Sequence, residues 1–237
     1  MINKITIIGV GLIGGSLARA LKSNNLANIV FGYGRDQNRL EAATKEGIID
    51  QYSTDLKIAV DGADIIVIAT PVGSFESLLH DLKPFITQHM IVTDVGSTKS
   101  SIANSAKYIL DEMLSNFIPA HPIAGKEKSG FEASDAGLFL NKKVIITPLD
   151  SNPSESINTI KKMWEDVGAN VDFMSSESHD ELLGMTSHLP HMLAFSLVNY
   201  LVSQNPSASI YAAGGFKDFS RIASGDAVMW SDICLNN

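Results

Sequence analysis

The chain has a single cysteine, Cys234. That excludes an internal disulfide framework and fits a reducing compartment. No apolar run reaches the roughly 18 residues that a membrane-spanning helix needs. Met1 leads almost straight into an apolar strand, with no basic and apolar leader ahead of it, so no secretory signal is expected either. Cations are scarce: 18 Lys and Arg stand against 26 Asp and Glu, a formal charge of −8. This argues against nucleic acid or an anionic membrane surface as the main partner, and any anionic ligand must be met by local cations. Repeats and low-complexity segments are absent. A cytoplasmic protein with a small-molecule ligand is expected.

What is present begins with Gly9-Val10-Gly11-Leu12-Ile13-Gly14, a G-x-G-x-x-G turn between the apolar run Ile5-Thr6-Ile7-Ile8 and a small-residue helix from Leu12 to Leu21. Strand, turn and helix in this order form the opening of a dinucleotide-binding unit. Gly9 permits the tight turn, Gly11 lets the backbone approach a pyrophosphate, and Gly14 lets the helix pack closely on the strand. The N–H groups around Leu12 and Ile13 then face the phosphates with the positive end of the helix dipole. A second strand, Ile29 to Tyr33, runs into Gly34-Arg35-Asp36, where cofactor choice is normally made. Arg35 suits a 2′-phosphate and Asp36 a ribose hydroxyl, so NAD or NADP stays open, with a lean to NADP.

Further along, Asp64 to Thr70 is a near-continuous apolar strand ended by Pro71, and the loop at Thr70 and Pro71 is expected over the cofactor. Met90 to Val95 repeats the pattern, followed by a helix from Ile102 to Met113. Phe117 to Ala120 reads as a strand running into His121, and Val144–Thr147 and Asn170–Phe173 flank a helix from Glu155 to Val167. This alternation predicts a Rossmann-type α/β domain with a mostly parallel sheet over residues 1–174. From 175 to 237 the pattern is helical only, predicting an all-α second domain that holds substrate and dimerises. Apolar residues go right round the helix at 192–202, which predicts burial on all sides, and Pro190 predicts a kink within it. Asp226 reads as the N-cap of a last helix with no stop signal before residue 237, so further helical chain is expected.

Three clusters carry possible chemistry. His121 is expected directly after a strand at the cofactor edge, where a neutral imidazole can take a proton from an alcohol. In Ser187-His188-Leu189-Pro190-His191, Ser187 and His191 share a helix face; a metal is not expected, because further ligands are missing. In Gly214-Gly215-Phe216-Lys217-Asp218-Phe219-Ser220-Arg221, Lys217 and Arg221 are four apart, a pair suited to substrate carboxylates.

Five motifs in order resemble the prephenate dehydrogenase family, with the closely similar arogenate dehydrogenases of tyrosine biosynthesis. They are Gly9 to Ser16, Asp94-Val95-Gly96-Ser97-Thr98-Lys99, His121 to Gly125 with Glu127 to Gly130 behind, Ser187 to His191, and Gly214 to Arg221. The resemblance implies oxidative decarboxylation: ring C4 of the substrate gives a hydride to NAD or NADP, and the ring carboxylate leaves as carbon dioxide. It also implies that His121 is the base and that Ser97 orients it and touches the nicotinamide side. Arg221 then holds the ring carboxylate, and Ser187, His191, Gly214 and Lys217 surround the rest of prephenate or arogenate. Trp230 is implied to arrive from the partner subunit of a homodimer. Two other readings remain: another two-domain NAD(P)-dependent hydroxyacid or imine oxidoreductase, and a non-catalytic dinucleotide sensor.

Overall fold

The computed structural model describes residues 1–126, 128–211 and 213–237. Glu127 therefore lies outside the described residues. The first half alternates strictly: β1 (Ile2–Ile8), α1 (Leu12–Ser23), β2 (Ala27–Tyr33), α2 (Gln37–Lys45), β3 (Gln51–Ser53), α3 (Leu56–Val60), β4 (Ile65–Ile68), α4 (Phe75–Leu82), β5 (Ile91–Asp94), α5 (Ser100–Leu110) and β6 (Phe117–Ile118). The strands form one parallel sheet in the order β3-β2-β1-β4-β5-β6. This is the doubly wound arrangement expected, and its strand order reverses between β1 and β4, where such sheets take their ligands.

Period-two alternation decides which face each side chain joins. Ile5, Ile7, Ile65 and Val67 pack with Leu17 and Leu21 of α1 on one face, while Ile8, Ile66, Ile68 and Val92 pack with Leu79 of α4 and Ile102 and Ala106 of α5 on the other. Both faces are covered, which is why the strands read as unbroken apolar runs. Asp36, Asp55 and Asp226 each accept a backbone N–H in the first turn of the helix they precede, the usual way to satisfy those orphan donors.

The strand expected at 117–120 divides. Pro119 ends β6, and β7 (Ala120–Pro122) joins a second, three-stranded sheet with β8 (Lys143–Ile146) and β9 (Asn170–Phe173). Strand β7 is antiparallel to β8, with His121 opposite Ile145. His121 is thus held inside a strand rather than in the loop after one. Helix α6 (Ser154–Asp166) connects β8 to β9, which are parallel, as the sequence pattern implied. Helix α5 stops at Leu110, three residues short of the expected end, where a 3-10 turn over Asp111–Asn116 takes over.

The rest is helical: α7 (Ser176–Leu183), a π-helical turn at Gly184–His188, α8 (Leu189–Gln204), α9 (Gly214–Ile222) and α10 (Ala227–Asn236). Pro190 sits in the first turn of α8, where its missing N–H costs little. The widened turn just before it absorbs the ring, and such bulges gather at functional sites. Helix α8 is not enclosed: among its described side chains only Ala194 is buried, and Leu193 is 56% exposed. Its apolar circumference is covered on one side by α9 and the π turn, and Leu189, Leu193 and Tyr200 on it are exposed. No described helix is long and apolar enough to cross a membrane.

Candidate active site

The glycine turn has the geometry a dinucleotide requires. Gly9 has φ of +96°, and a Cβ there would stand 2.7 Å from the Ala69 carbonyl oxygen. A Cβ on Gly14 would stand 2.3 Å from the Gly9 carbonyl oxygen. At both positions backbone fills the space, so only glycine fits. A Cβ on Gly11 would meet nothing within 4 Å, and Gly11 precedes α1 with no side chain capping that helix. The open space faces the uncapped N–H groups at Leu12 and Ile13, a cradle for phosphate. Beside Gly9, the hydroxyl of Thr70 is buried with no hydrogen-bond partner among the described residues, and Pro71 then opens a short 3-10 turn. These residues fit a bound dinucleotide at the switch point between β1 and β4.

At the end of β2 stand Gly34, Arg35 and Asp36. The Asp36 carboxylate accepts the N–H groups of Asn38 and Arg39 at 3.0 and 3.2 Å, so it caps α2. Gly34 has no side chain to offer, and Arg35 is exposed.

His121 is the centre of a buried network. Its Nδ1 lies 2.9 Å from Nε2 of His179, and Nδ1 of His179 lies 2.8 Å from the Asp180 carboxylate. A carboxylate only accepts, so His179 donates through Nδ1, and the neutral form of His179 accepts at Nε2. His121 must then donate through Nδ1, which leaves its Nε2 as a lone pair with no partner among the described residues. Burial favours protonated Asp180, but the bonds from His179 and from the N–H groups of Lys99 and Ser100, both 2.8 Å, outweigh it and lower its pKa to about 2. Burial first, then the Lys99 charge and the neighbouring His179 and His188, hold His121 well below the ordinary histidine value; Asp180 opposes only in part. His121 is therefore a neutral base.

Below it lies an ion pair. Lys99 Nζ donates to Asp94, and both side chains are fully buried. The same ammonium donates to the Ala120 carbonyl at 2.7 Å, while Asp94 accepts the Ala120 N–H at 3.1 Å and the Gly96 N–H at 2.7 Å. Burial pushes the Lys99 ammonium down and the Asp94 carboxyl up, and their mutual attraction opposes both shifts. Both polar backbone groups of Ala120, the residue before His121, are thereby clamped.

On the helical side, His191 Nδ1 donates to the Ser187 carbonyl at 2.8 Å. Trp230 stacks on the His191 ring at 3.8 Å between centroids, with its edge toward His188. The Asn237 amide bridges His188 Nδ1 at 2.8 Å and the Asp180 carbonyl at 2.9 Å.

Several expectations change in this light. Trp230, implied to arrive from a partner, stacks on His191 of its own chain. Ser97 is half-buried and makes no hydrogen bond to His121 among the described residues; His179 orients the ring instead. Gly214, Lys217 and Arg221 lie on α9 and are exposed. The sequence motifs do not pick out His179 and Asp180, and they assign no role of their own to His188, Asp94 and Lys99.

Comparison with known proteins follows the same outline. Residues 17–173 match the family model for the prephenate dehydrogenase nucleotide-binding domain, and residues 175–237 match that for the prephenate dehydrogenase dimerization domain. The chain belongs to the prephenate dehydrogenase family. It is 34% identical to the cyclohexadienyl dehydrogenase of Zymomonas mobilis, over 98% of this chain and 80% of that one. It is 36% identical to the prephenate dehydrogenase of Bacillus subtilis over its whole length, which spans 65% of that relative. A solved prephenate dehydrogenase from A. aeolicus, in complex with hydroxyphenyl propionate and NAD+, superimposes with a TM-score of 0.93 at 38% identity, covering 99% of this chain and 82% of that one. Family membership makes the chain an NAD(P)-dependent oxidoreductase of this group and disfavours the two other readings, an unrelated hydroxyacid oxidoreductase and a non-catalytic sensor.

Proposed function

We propose that this chain catalyses oxidative decarboxylation of prephenate or arogenate, with His121 Nε2 accepting the proton of the ring C4 hydroxyl. The observation that carries the reading is the 2.9 Å contact between His121 Nδ1 and His179 Nε2, with His179 in turn on Asp180; it engages Nδ1 of His121 and leaves Nε2 as the acceptor of a neutral ring. A bound dinucleotide supplies the hydride acceptor. The chain's residues supply orientation and one base, which suffices because loss of carbon dioxide makes the ring aromatic. Ser97, in the loop between β5 and α5, is read as touching the nicotinamide side. Ser187, His191, Gly214 and Lys217 are read as surrounding the substrate, with Trp230 closing over His191.

Arg221 is read as the holder of the ring carboxylate. Arg221→Ala is expected to raise the KM for prephenate by roughly tenfold or more while kcat falls less, the pattern of lost ground-state binding. Steady-state kinetics check this, and a normal KM would place the carboxylate elsewhere.

NADP+ is read as the preferred acceptor. Asp36 is held at the helix cap, Gly34 carries no acid, and Arg35 is the exposed cation at the ribose end. Arg35→Ala is expected to weaken NADP+ binding by roughly tenfold and to leave NAD+ nearly unchanged, as loss of a charged phosphate contact does. Calorimetric titration of both dinucleotides reads this directly, and an equal loss for the two would remove Arg35 from the choice.

A homodimer through the helical part is the proposed assembly. The exposed apolar side of α8, with Leu189, Leu193 and Tyr200, supports it.

A further inference from the structure

We propose that His179 and Asp180 form a proton relay behind His121, so that the hydroxyl proton passes from His121 to His179 and waits there until the product takes it back. The inference rests on the reading of His121 as base.

The reaction releases no net proton. The C4–H pair leaves as hydride and the O–H proton goes to His121 Nε2 as the C4–O bond becomes a carbonyl. The bond to the ring carboxylate then breaks, carbon dioxide leaves, and the bonding pair enters the ring to give a phenolate. The phenolate recovers the proton. A proton must therefore be stored nearby while the ring rearranges.

His121 is a poor place for it. The ring is buried and stands near the Lys99 ammonium, so a charge there is opposed on both counts. His179 is buried as well, but it is the better place because its Nδ1–H lies 2.8 Å from the ionised Asp180, with its Nε2 2.9 Å from His121 Nδ1. When His121 gains the proton at Nε2, the His121 Nδ1–H bond breaks and a His179 Nε2–H bond forms. His121 becomes neutral again as its other tautomer, and the imidazolium now faces a carboxylate. Return to the phenolate reverses both transfers. Asp180 is kept for this task by the backbone N–H groups of Lys99 and Ser100, which donate to its two oxygens. The charged and titratable groups facing the two rings are Lys99 and Asp94 from β5 and its loop, Asp180 from α7, and His188 from the π turn, with His191 beyond it.

A purely orienting His179 and a relaying one are separable. In His179→Gln the side-chain oxygen can still accept the His121 Nδ1–H, so orientation is preserved, but no proton can be stored. With prephenate and NADP+, the relay predicts a fall in kcat of roughly 10- to 100-fold, in the range for lost proton-transfer assistance, with KM changed by less than about twofold. It also predicts that wild-type kcat in H2O/D2O mixtures shows a curved dependence on deuterium fraction, from two protons in motion, which becomes straight in the variant. Retention of wild-type kcat by His179→Gln overturns the relay. So does a straight dependence in the wild type, which decides the matter even where the variant fails to fold. An inactive wild type would reject the functional reading itself.

Discussion

His121→Asn is expected to lower kcat by roughly 100-fold or more while leaving the KM values for substrate and dinucleotide nearly intact, as loss of a general base does. The asparagine amide can still donate to His179 Nε2, so the network behind it survives and the missing function is proton acceptance alone. The pH dependence adds a second reading. Reaction needs the neutral ring, and burial with the Lys99 charge keeps the pKa of His121 well below 6.5. Wild-type kcat/KM should therefore stay level as pH falls through that value and drop only below it. The residual activity of the variant should lack this acid limb. A variant with unchanged kcat would remove His121 from the chemistry.

The second large effect is on the fold. Asp94→Ala strands the Lys99 ammonium in a site where both side chains are fully buried, and it removes the acceptor of the Gly96 and Ala120 N–H groups. Removing one partner from a buried pair costs on the order of 3–5 kcal/mol, which for a chain of this size lowers Tm by roughly 10 °C. Thermal unfolding followed by circular dichroism measures it. Replacing both partners, Asp94→Ala with Lys99→Met, should recover much of the loss, because no charge is then left unpaired. A near-normal Tm for Asp94→Ala would mean that the clamp on Ala120 does not rest on this pair.

What the sequence made legible was local. The glycine turn, the apolar strands β1, β4 and β5, and the alternation with helices carry their own periodicity and punctuation, so the doubly wound sheet was readable in advance. His121 and the Ser187–His191 cluster stood out because histidines at strand and helix boundaries are unusual packing choices. What stayed hidden depends on contacts between distant segments. His179 and Asp180 read as ordinary polar residues near the start of a helix, and only the packing of α7 on α5 brings them to Lys99 and His121. Lys99 stands in the loop after β5, where a lysine is ordinarily solvated, yet it is fully buried. The available signal was Asp94 closing an apolar strand with a lysine five residues later, an acid and a base bracketing a loop at the carboxyl edge of the sheet. Antiparallel pairing of β7 with β8 is equally long-range, and Pro119 was the one local sign that the strand would divide. For α8 the apolar circumference is evident in the sequence, but apolarity alone does not fix burial, and only Ala194 among its described side chains is buried.

The most direct test of the account is the appearance of reduced nicotinamide absorbance with the purified protein, in four mixtures that cross prephenate and arogenate with NAD+ and NADP+. The account predicts turnover in at least one mixture, faster with NADP+ than with NAD+, and dependent on His121. Binding of dinucleotide with no reduction in any of the four would contradict it.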